Sequence, residues 1–179
     1  MAKQVNSTYG DALFQLAVEE KKIDEIFEEL KSLIQIFNEN EELLRVLTHP
    51  QVVKEEKLAL IKKVFEGRVS EAVMGTLMIV VKNDRITELK SIFEYVISRI
   101  KEYKKIGIAY VTSAVPLDDG QKAKLTKRLI ETMDYLSMEM HYKVDASLIG
   151  GVIIRIEDRV VDSSIKHKLE RMSAKLSRG

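Results

Sequence analysis

Through the first hundred or so residues, apolar side chains recur every three or four positions, the spacing that gathers them on one face of an α-helix. Tyr9, Leu13, Leu16 and Ala17 set the first such stripe, with Thr8 placed to cap its start. Ile23, Ile26, Phe27, Leu30, Leu33, Ile34 and Phe37 set the second. A short helix follows and ends at His49-Pro50, because the residue before proline is pushed out of helical geometry. Leu58, Ile61, Val64 and Phe65 mark a fourth helix, which Gly67 terminates. Ser70 is placed to cap the run Ala72–Val81, and Asn83-Asp84 break that run. Ile86, Leu89, Ile92, Phe93, Val96, Ile97, Ile100 and Tyr103 line one face of the last helix in this half, making six.

Near Lys104–Gly107 the period changes from helical to strand-like. "GIAYVTSAVP", Gly107–Pro116, is rich in small and β-branched residues and predicts a strand. Asp118 with Gln121 has the spacing of a capping box at the head of a helix that buries Leu125, Leu129, Ile130 and Met133. "MEMHYKV" alternates, with Met138, Met140, Tyr142 and Val144 on one face and Glu139, His141 and Lys143 on the other. "GVIIRIE" and "RVVD" predict two further strands, hairpin-paired through Glu157–Arg159. Asp162 or Ser163 is placed to cap a final helix carrying Ile165, Leu169, Met172 and Leu176. The expected fold is therefore α+β: a six-helix bundle over residues 1–105 and a small α/β domain over 106–179.

Composition narrows the function. Of the 179 residues, 29 are Lys or Arg and 28 are Asp or Glu, leaving a net charge of +1. A duplex-DNA binder shows a concentrated basic face, which this balance argues against. The basic runs Lys101–Lys105 and Lys122–Arg128 are interrupted or followed by acids; a solvated helix face accounts for them, and a salt-dependent contact with an acidic partner is the other reading. With no cysteine, thiolate metal sites, Cys nucleophiles and disulfides are excluded. "MAKQVNSTYGDALFQ" has no apolar core, so no signal peptide is expected. The most apolar stretch, Ala72–Val81, reaches about 15 Å as a helix, roughly half a bilayer core.

No catalytic or cofactor site is predicted. Gly150-Gly151 lead into the strand-like "VIIRI" and not into a helix, so close backbone approach explains them better than a phosphate cradle. His49, His141 and His167 lie in separate elements without ligand spacing. Asp118-Asp119 and Asp158…Asp162 lack the alternating oxygen ligands of a calcium loop, and capping accounts for them. No nucleophile elbow is present.

The unusual segment is Ala72–Val81, which has almost no polar face. A helix apolar all round must be covered all round. Either it is the central helix of the bundle, or a partner covers one strip of it. The strip Ala72, Gly75, Thr76 and Ile79 is the candidate, with Val73, Leu77 and Val80 turned to the bundle's own core. The first helix has a similar apolar excess at Tyr9, Ala12, Leu13 and Leu16.

Four stretches, "YGDALFQLA", "NDRITELKSIFEYV", "SAVPLDDGQKAKL" and "DASLIGGVIIRIEDRVVDSSIKHKLERM", resemble the δ subunit of F-type ATP synthases, whose mitochondrial relative is the oligomycin-sensitivity-conferring protein. The last is the most specific, with Asp145, Gly150, Gly151, Arg155, Asp158 and Asp162 in the family's order. The resemblance implies a six-helix bundle followed by a C-terminal α/β domain. It implies a non-catalytic stator subunit with no cofactor or metal, on the cytoplasmic side of a bacterial inner membrane. In the family, a groove between the first and fifth helices receives the N-terminal helix of an α subunit. The final helix, Ser164–Ser177, and the Gly150–Asp162 hairpin would hold the ends of the b subunits. Where this chain has Glu157 and Ser163 the family more often has glycine, so Asp158 or Ser163 is expected to accommodate a different turn. The alternative is a helical adaptor with an unrelated partner.

Overall fold

The structure is a computed structural model that describes residues 2–176. Two compact units divide between Ile100 and Lys101.

The first unit holds α1 (Ala2–Glu19), α2 (Ile23–Glu39), α3 (Glu41–Thr48), α4 (Lys54–Phe65), α5 (Glu71–Lys82) and most of α6 (Leu89–Tyr103), the last preceded by a single 3₁₀ turn at Ile86–Glu88. Thr8 does not start α1. The helix begins at Ala2, because nothing in "KQVNS" stops it, and Thr8 is an interior residue. The other stops fall as their chemistry dictates. α3 ends at Thr48 before His49-Pro50. Beyond α4, Gly67 takes φ +73°, and after α5 Asp84 takes φ +53°.

Ser70 occupies the position ahead of α5 but makes no side-chain cap. Its hydroxyl and backbone N–H both donate instead to the Glu29 carboxylate of α2, at 2.8 and 3.0–3.1 Å. A carboxylate at a helix start is favourable for the helix dipole as well as for the unpaired N–H groups. Inside the bundle, Ile26, Leu30, Leu33 and Phe37 of α2 meet Leu77 and Val80 of α5 and Ile92, Phe93 and Val96 of α6 in one buried cluster. The rings of Phe37 and Phe65 sit 5.8 Å apart.

The second unit carries β1 (Ile106–Ser113), α7 (Asp119–Thr132), β2 (Ser137–Val144), β3 (Val152–Ile156), β4 (Arg159–Asp162) and α8 (Ile165–Leu176). The strand order is β2-β1-β3-β4. β1 and β2 are parallel, joined through α7, and β3 and β4 add antiparallel. α7 opens with the complete capping box: Asp118 accepts from the Gln121 N–H at 2.7 Å and Gln121 accepts from the Asp118 N–H at 3.1 Å. Ala109, Val111, Leu148 and Ile156 form the core here. The apolar face of β2 is only partly covered: Met138 and Met140 are half-buried, while Tyr142 and Val144 are exposed. The cap of α8 is Ser164, whose hydroxyl accepts the His167 N–H at 3.1 Å, with Asp162 accepting from the Ser164 N–H one turn earlier at 2.8 Å.

Candidate docking groove on the helical unit

α5 resolves the question its composition raised. Val73, Leu77, Val80 and Val81 are fully buried, so the bundle takes most of the helix. Gly75 and Ile79 remain open, and Ile79 is 51% exposed. The 3.6-residue period puts these two on the face opposite Leu77 and Val81.

α1 lies beside α5. The side-chain amide of Asn83, at the end of α5, donates to the Tyr9 hydroxyl at 2.9 Å. At the other end of α1, Lys22 is held protonated above its ordinary range, first by its contact with Glu20 and to a lesser degree by the field of Glu71, the first residue of α5. The middle of α1 therefore meets the end of α5, and the segment just past α1 lies toward the start of α5, so the two run antiparallel. That brings the exposed Ala12 and Leu16 alongside the exposed Gly75 and Ile79. Tyr9 and Thr76 are half-buried between them. Leu13 and Ala72 are buried in the core and support the groove from beneath.

The roll of α1 is set from its other side. A β-carbon at Gly10 would collide with the ring of Tyr95 on α6, and the Tyr95 hydroxyl donates to Asp11 at 2.9 Å. α6 can thus approach α1 closely at Gly10, and Ala12 and Leu16 turn outward. Gly75 has the contrary setting: a β-carbon there would meet nothing within 4 Å. The bundle itself gives no reason for glycine at this position. Ala12 and Leu16 on α1 and Gly75 and Ile79 on α5 are thus exposed small or apolar positions on two neighbouring helices, a surface of the kind an amphipathic helix can use.

In the second unit the glycine pair is a packing device. A β-carbon at Gly151, where φ is +80°, would strike the Ser163 carbonyl, and one at Gly150 would strike Ile165. The Gly150 carbonyl accepts the Ile165 N–H at 2.9 Å, fixing the start of α8. Asp145 accepts the Ser147 N–H at 2.9 Å, and the Ser147 side chain, then this backbone bond, lowers its carboxyl below the ordinary value. The hairpin turn is made by Glu157 itself, at φ +50°, and not by an adjustment at Asp158 or Ser163. Glu157 also accepts the Tyr135 hydroxyl at 2.7 Å, a contact that holds the turn. Arg155 pairs across the sheet with Tyr110, and both are exposed, as is Asp158.

No group of three or more His, Cys, Asp or Glu side chains placed to hold a metal occurs among the described residues. His141 stacks on Tyr110 with ring centres 5.0 Å apart and lies 3.0 Å from Glu139. His49 Nδ1 accepts the Gln51 N–H at 3.2 Å. Among the described residues no helix is long and apolar enough to cross a membrane.

The sequence model of the family described as "ATP synthase delta (OSCP) subunit" matches residues 5–176. This chain belongs to that family. An ATP synthase subunit delta of Lachnoclostridium phytofermentans is 50% identical, over 98% of this chain and 97% of the relative. One from Enterococcus hirae is 37% identical, over 97% and 96%. In fold, this delta-family chain matches a chain in the cryo-EM structure of the Toxoplasma gondii mitochondrial ATP synthase hexamer, with a TM-score of 0.70 at 15% identity over 96% of both chains. The glycine pair, the hairpin and the α1–α5 pairing all lie within the residues that match the family.

Proposed function

We propose that this protein acts as the stator subunit that ties the catalytic headpiece of an F-type ATP synthase to its peripheral stalk. The channel between α1 and α5 receives the amphipathic N-terminal helix of an α subunit, through Ala12, Leu16, Gly75 and Ile79 with Tyr9 and Thr76 at the margins. The second unit holds the C-terminal ends of the b subunits through α8 and the β3–β4 hairpin. The complex is peripheral to a bacterial inner membrane on its cytoplasmic side. The chain's own part is mechanical and non-catalytic: it resists the torque that the rotating central stalk applies to the headpiece.

The observation that carries this reading is the open strip Gly75–Ile79 on an otherwise enclosed helix, beside Ala12 and Leu16. Exposed valine, leucine and methionine on β4 and α8, namely Val160, Val161, Leu169 and Met172, support a second contact in the other unit. A stator must dissociate slowly. Nanomolar binding is about 12 kcal/mol, and two units gripping two parts of one assembly raise the effective affinity beyond either contact alone.

Titration calorimetry of this protein into a headpiece lacking its delta subunit tests the proposal. One-to-one binding with a negative heat-capacity change is expected, since apolar surface is buried. A folded protein that gives no binding heat and no co-migration would exclude the stator role.

A further inference from the structure

A second apolar groove lies on the helical unit, away from the α1–α5 channel. It runs along α2 to Asn40 and is closed by α3 and by the segment from Val64 to Val69; its volume is about 770 Å³. Ile36, Leu43, Val64 and Val69 line it, and Ile36 is 37% exposed although it stands in the last turn of a helix whose other large apolar residues are packed. Glu25, Glu28 and Glu29 stand along one wall, with Arg68 as the one cation among the lining residues. Glu29 is engaged with Ser70 and Glu28 pairs with Lys31 at 3.1 Å on the exposed face of α2, so Glu25 is the wall carboxylate without an ion pair among the described residues, and an incoming base would compete with Lys31 for Glu28.

The charge of these elements sets the groove apart from the rest of the chain. From Ile23 to Thr48, the span of α2 and α3, there are seven acidic residues and two basic ones, a net of −5 in a chain whose total is +1. Two of the acids, Asp24 and Glu25, lie in the first turn of α2, where the helix dipole favours them. The dipole does not account for Glu28 or Glu39, and Lys31, paired with Glu28, offsets only one of the seven acids on these two helices. An apolar floor with a strongly acidic surround attracts one kind of helix and repels its opposite.

We infer that this groove is a second docking site, for a basic amphipathic helix of another subunit of the assembly. Measured along α2 from Glu25 to Glu39, the groove spans about 21 Å, room for roughly four helical turns. The occupant places apolar residues at i, i+3, i+4 and i+7 on Ile36 and Leu43 and sets lysine or arginine against Glu25 and Glu28. The site uses none of the residues of the α1–α5 channel and stands or fails separately from it.

Two measurements test it. The chain has no cysteine, so Ser32→Cys gives a unique attachment point on the groove wall. The variant, carrying a short photo-crosslinker, is assembled into ATP synthase stripped of its delta subunit, irradiated and mapped by peptide mass spectrometry. The expected product joins it to a helical segment of another subunit with more Lys and Arg than Asp and Glu. Adding Glu25→Lys with Glu28→Lys, or Ile36→Asp, should cut the yield at least fivefold with the melting temperature unchanged. A yield no higher than from Glu94→Cys on α6, a crosslink to an acidic segment, or one to a second copy of the chain would overturn the inference. Independently of assembly, the full chain is titrated with a 15-residue Leu/Lys amphipathic peptide and followed by amide chemical shifts. Shifts centred on Ile36 and Leu43, with a Leu/Glu counterpart binding at least tenfold more weakly, are expected. Equal binding of the two peptides, or shifts centred on Ile79, would refute the site.

Discussion

The side-chain amide of Asn83 donates to the hydroxyl of Tyr9 at 2.9 Å, across 74 residues of sequence, and this bond pins the middle of α1 to the end of α5. It closes one end of the proposed docking channel. Tyr9→Phe removes the acceptor and keeps the ring. Because Asn83 is exposed and can turn to water, the loss in stability should be about 0.5–1 kcal/mol, measured by urea denaturation. Tyr9→Ala also removes the ring that forms the channel's wall, and should weaken headpiece binding while the helical circular dichroism stays unchanged. Normal binding by Tyr9→Ala would move the α-subunit contact elsewhere.

Ile79 and Leu77 are two residues apart on α5 and face opposite ways. Leu77 is fully buried, and Leu77→Ala should cost about 2–5 kcal/mol of stability through lost burial and the cavity left behind. Ile79→Glu changes a half-exposed residue and should leave the melting temperature within about 2 °C of wild type. In the headpiece titration Ile79→Glu should bind at least tenfold more weakly, because a carboxylate would be desolvated in the channel without a partner. A pair of variants with the opposite ranking would show that the exposed face has been assigned wrongly.

Gly75 offers a test in which stability and binding move in opposite directions. Glycine inside a helix is less favourable than alanine by about 0.5–1 kcal/mol, and a β-carbon at this position meets nothing. Gly75→Ala should therefore raise stability by about that amount. Gly75→Leu fills the channel floor and should reduce headpiece affinity without unfolding the bundle. If Gly75→Leu binds as wild type does, the partner helix does not pass over this point.

What was legible in the sequence was local or periodic. The capping box at Asp118 and Gln121 depends on residues three apart, and it formed as read. The helical period of α5 correctly turned Val73, Leu77 and Val80 inward and left Gly75 and Ile79 outside. Thr8 misled because a hydroxyl residue is common at caps but is also tolerated within a helix, and only an obstruction upstream would have made it a start. Ser70 misled because its hydroxyl found Glu29, 41 residues earlier, a pairing with no local signal. The turn at Glu157 was expected to shift to a neighbour; instead the glutamate itself takes φ +50°, with its carboxylate anchored by Tyr135 from the end of α7's connection. The acidic groove of α2 and α3 had a readable sign, the run of Asp and Glu with few bases. Its apolar floor did not, because Leu43 and Val64 reach it from other helices.

Lys101 and Glu139 form a 2.6 Å ion pair within the second unit, between the last turn of α6 and β2. The Lys101 hydrogen bond, then its charge and that of His141, lower the Glu139 carboxyl below its ordinary value of 4.5. A group lowered in the folded state stabilises it above the unfolded value, and that contribution disappears as pH falls through the lowered folded value. The side chain of Glu139 is 39% exposed, so screening limits the effect to about 0.5 kcal/mol or less. Melting curves from pH 7 down to pH 3 should show wild type losing slightly more stability below about pH 4.5 than Glu139→Gln does. Parallel curves for the two proteins would mean that the ion pair contributes nothing in solution.

Gly151 combines two demands that only glycine meets. Its φ of +80° disfavours any residue with a β-carbon, and that β-carbon would meet the Ser163 carbonyl, which is backbone and cannot swing aside. Gly151→Ala should therefore cost more than the conformational penalty of about 1 kcal/mol alone, reaching about 2–4 kcal/mol once β3 and the start of α8 are forced apart. The damage should be confined to the second unit. Amide hydrogen exchange can read this residue by residue: protection at Ala109, Val111 and Ile156 should fall at least tenfold, while Leu77, Ile92 and Val96 keep theirs. Gly150→Ala, where the obstacle is the flexible Ile165 side chain, should cost clearly less. If both units lose protection together in Gly151→Ala, they unfold as one cooperative block.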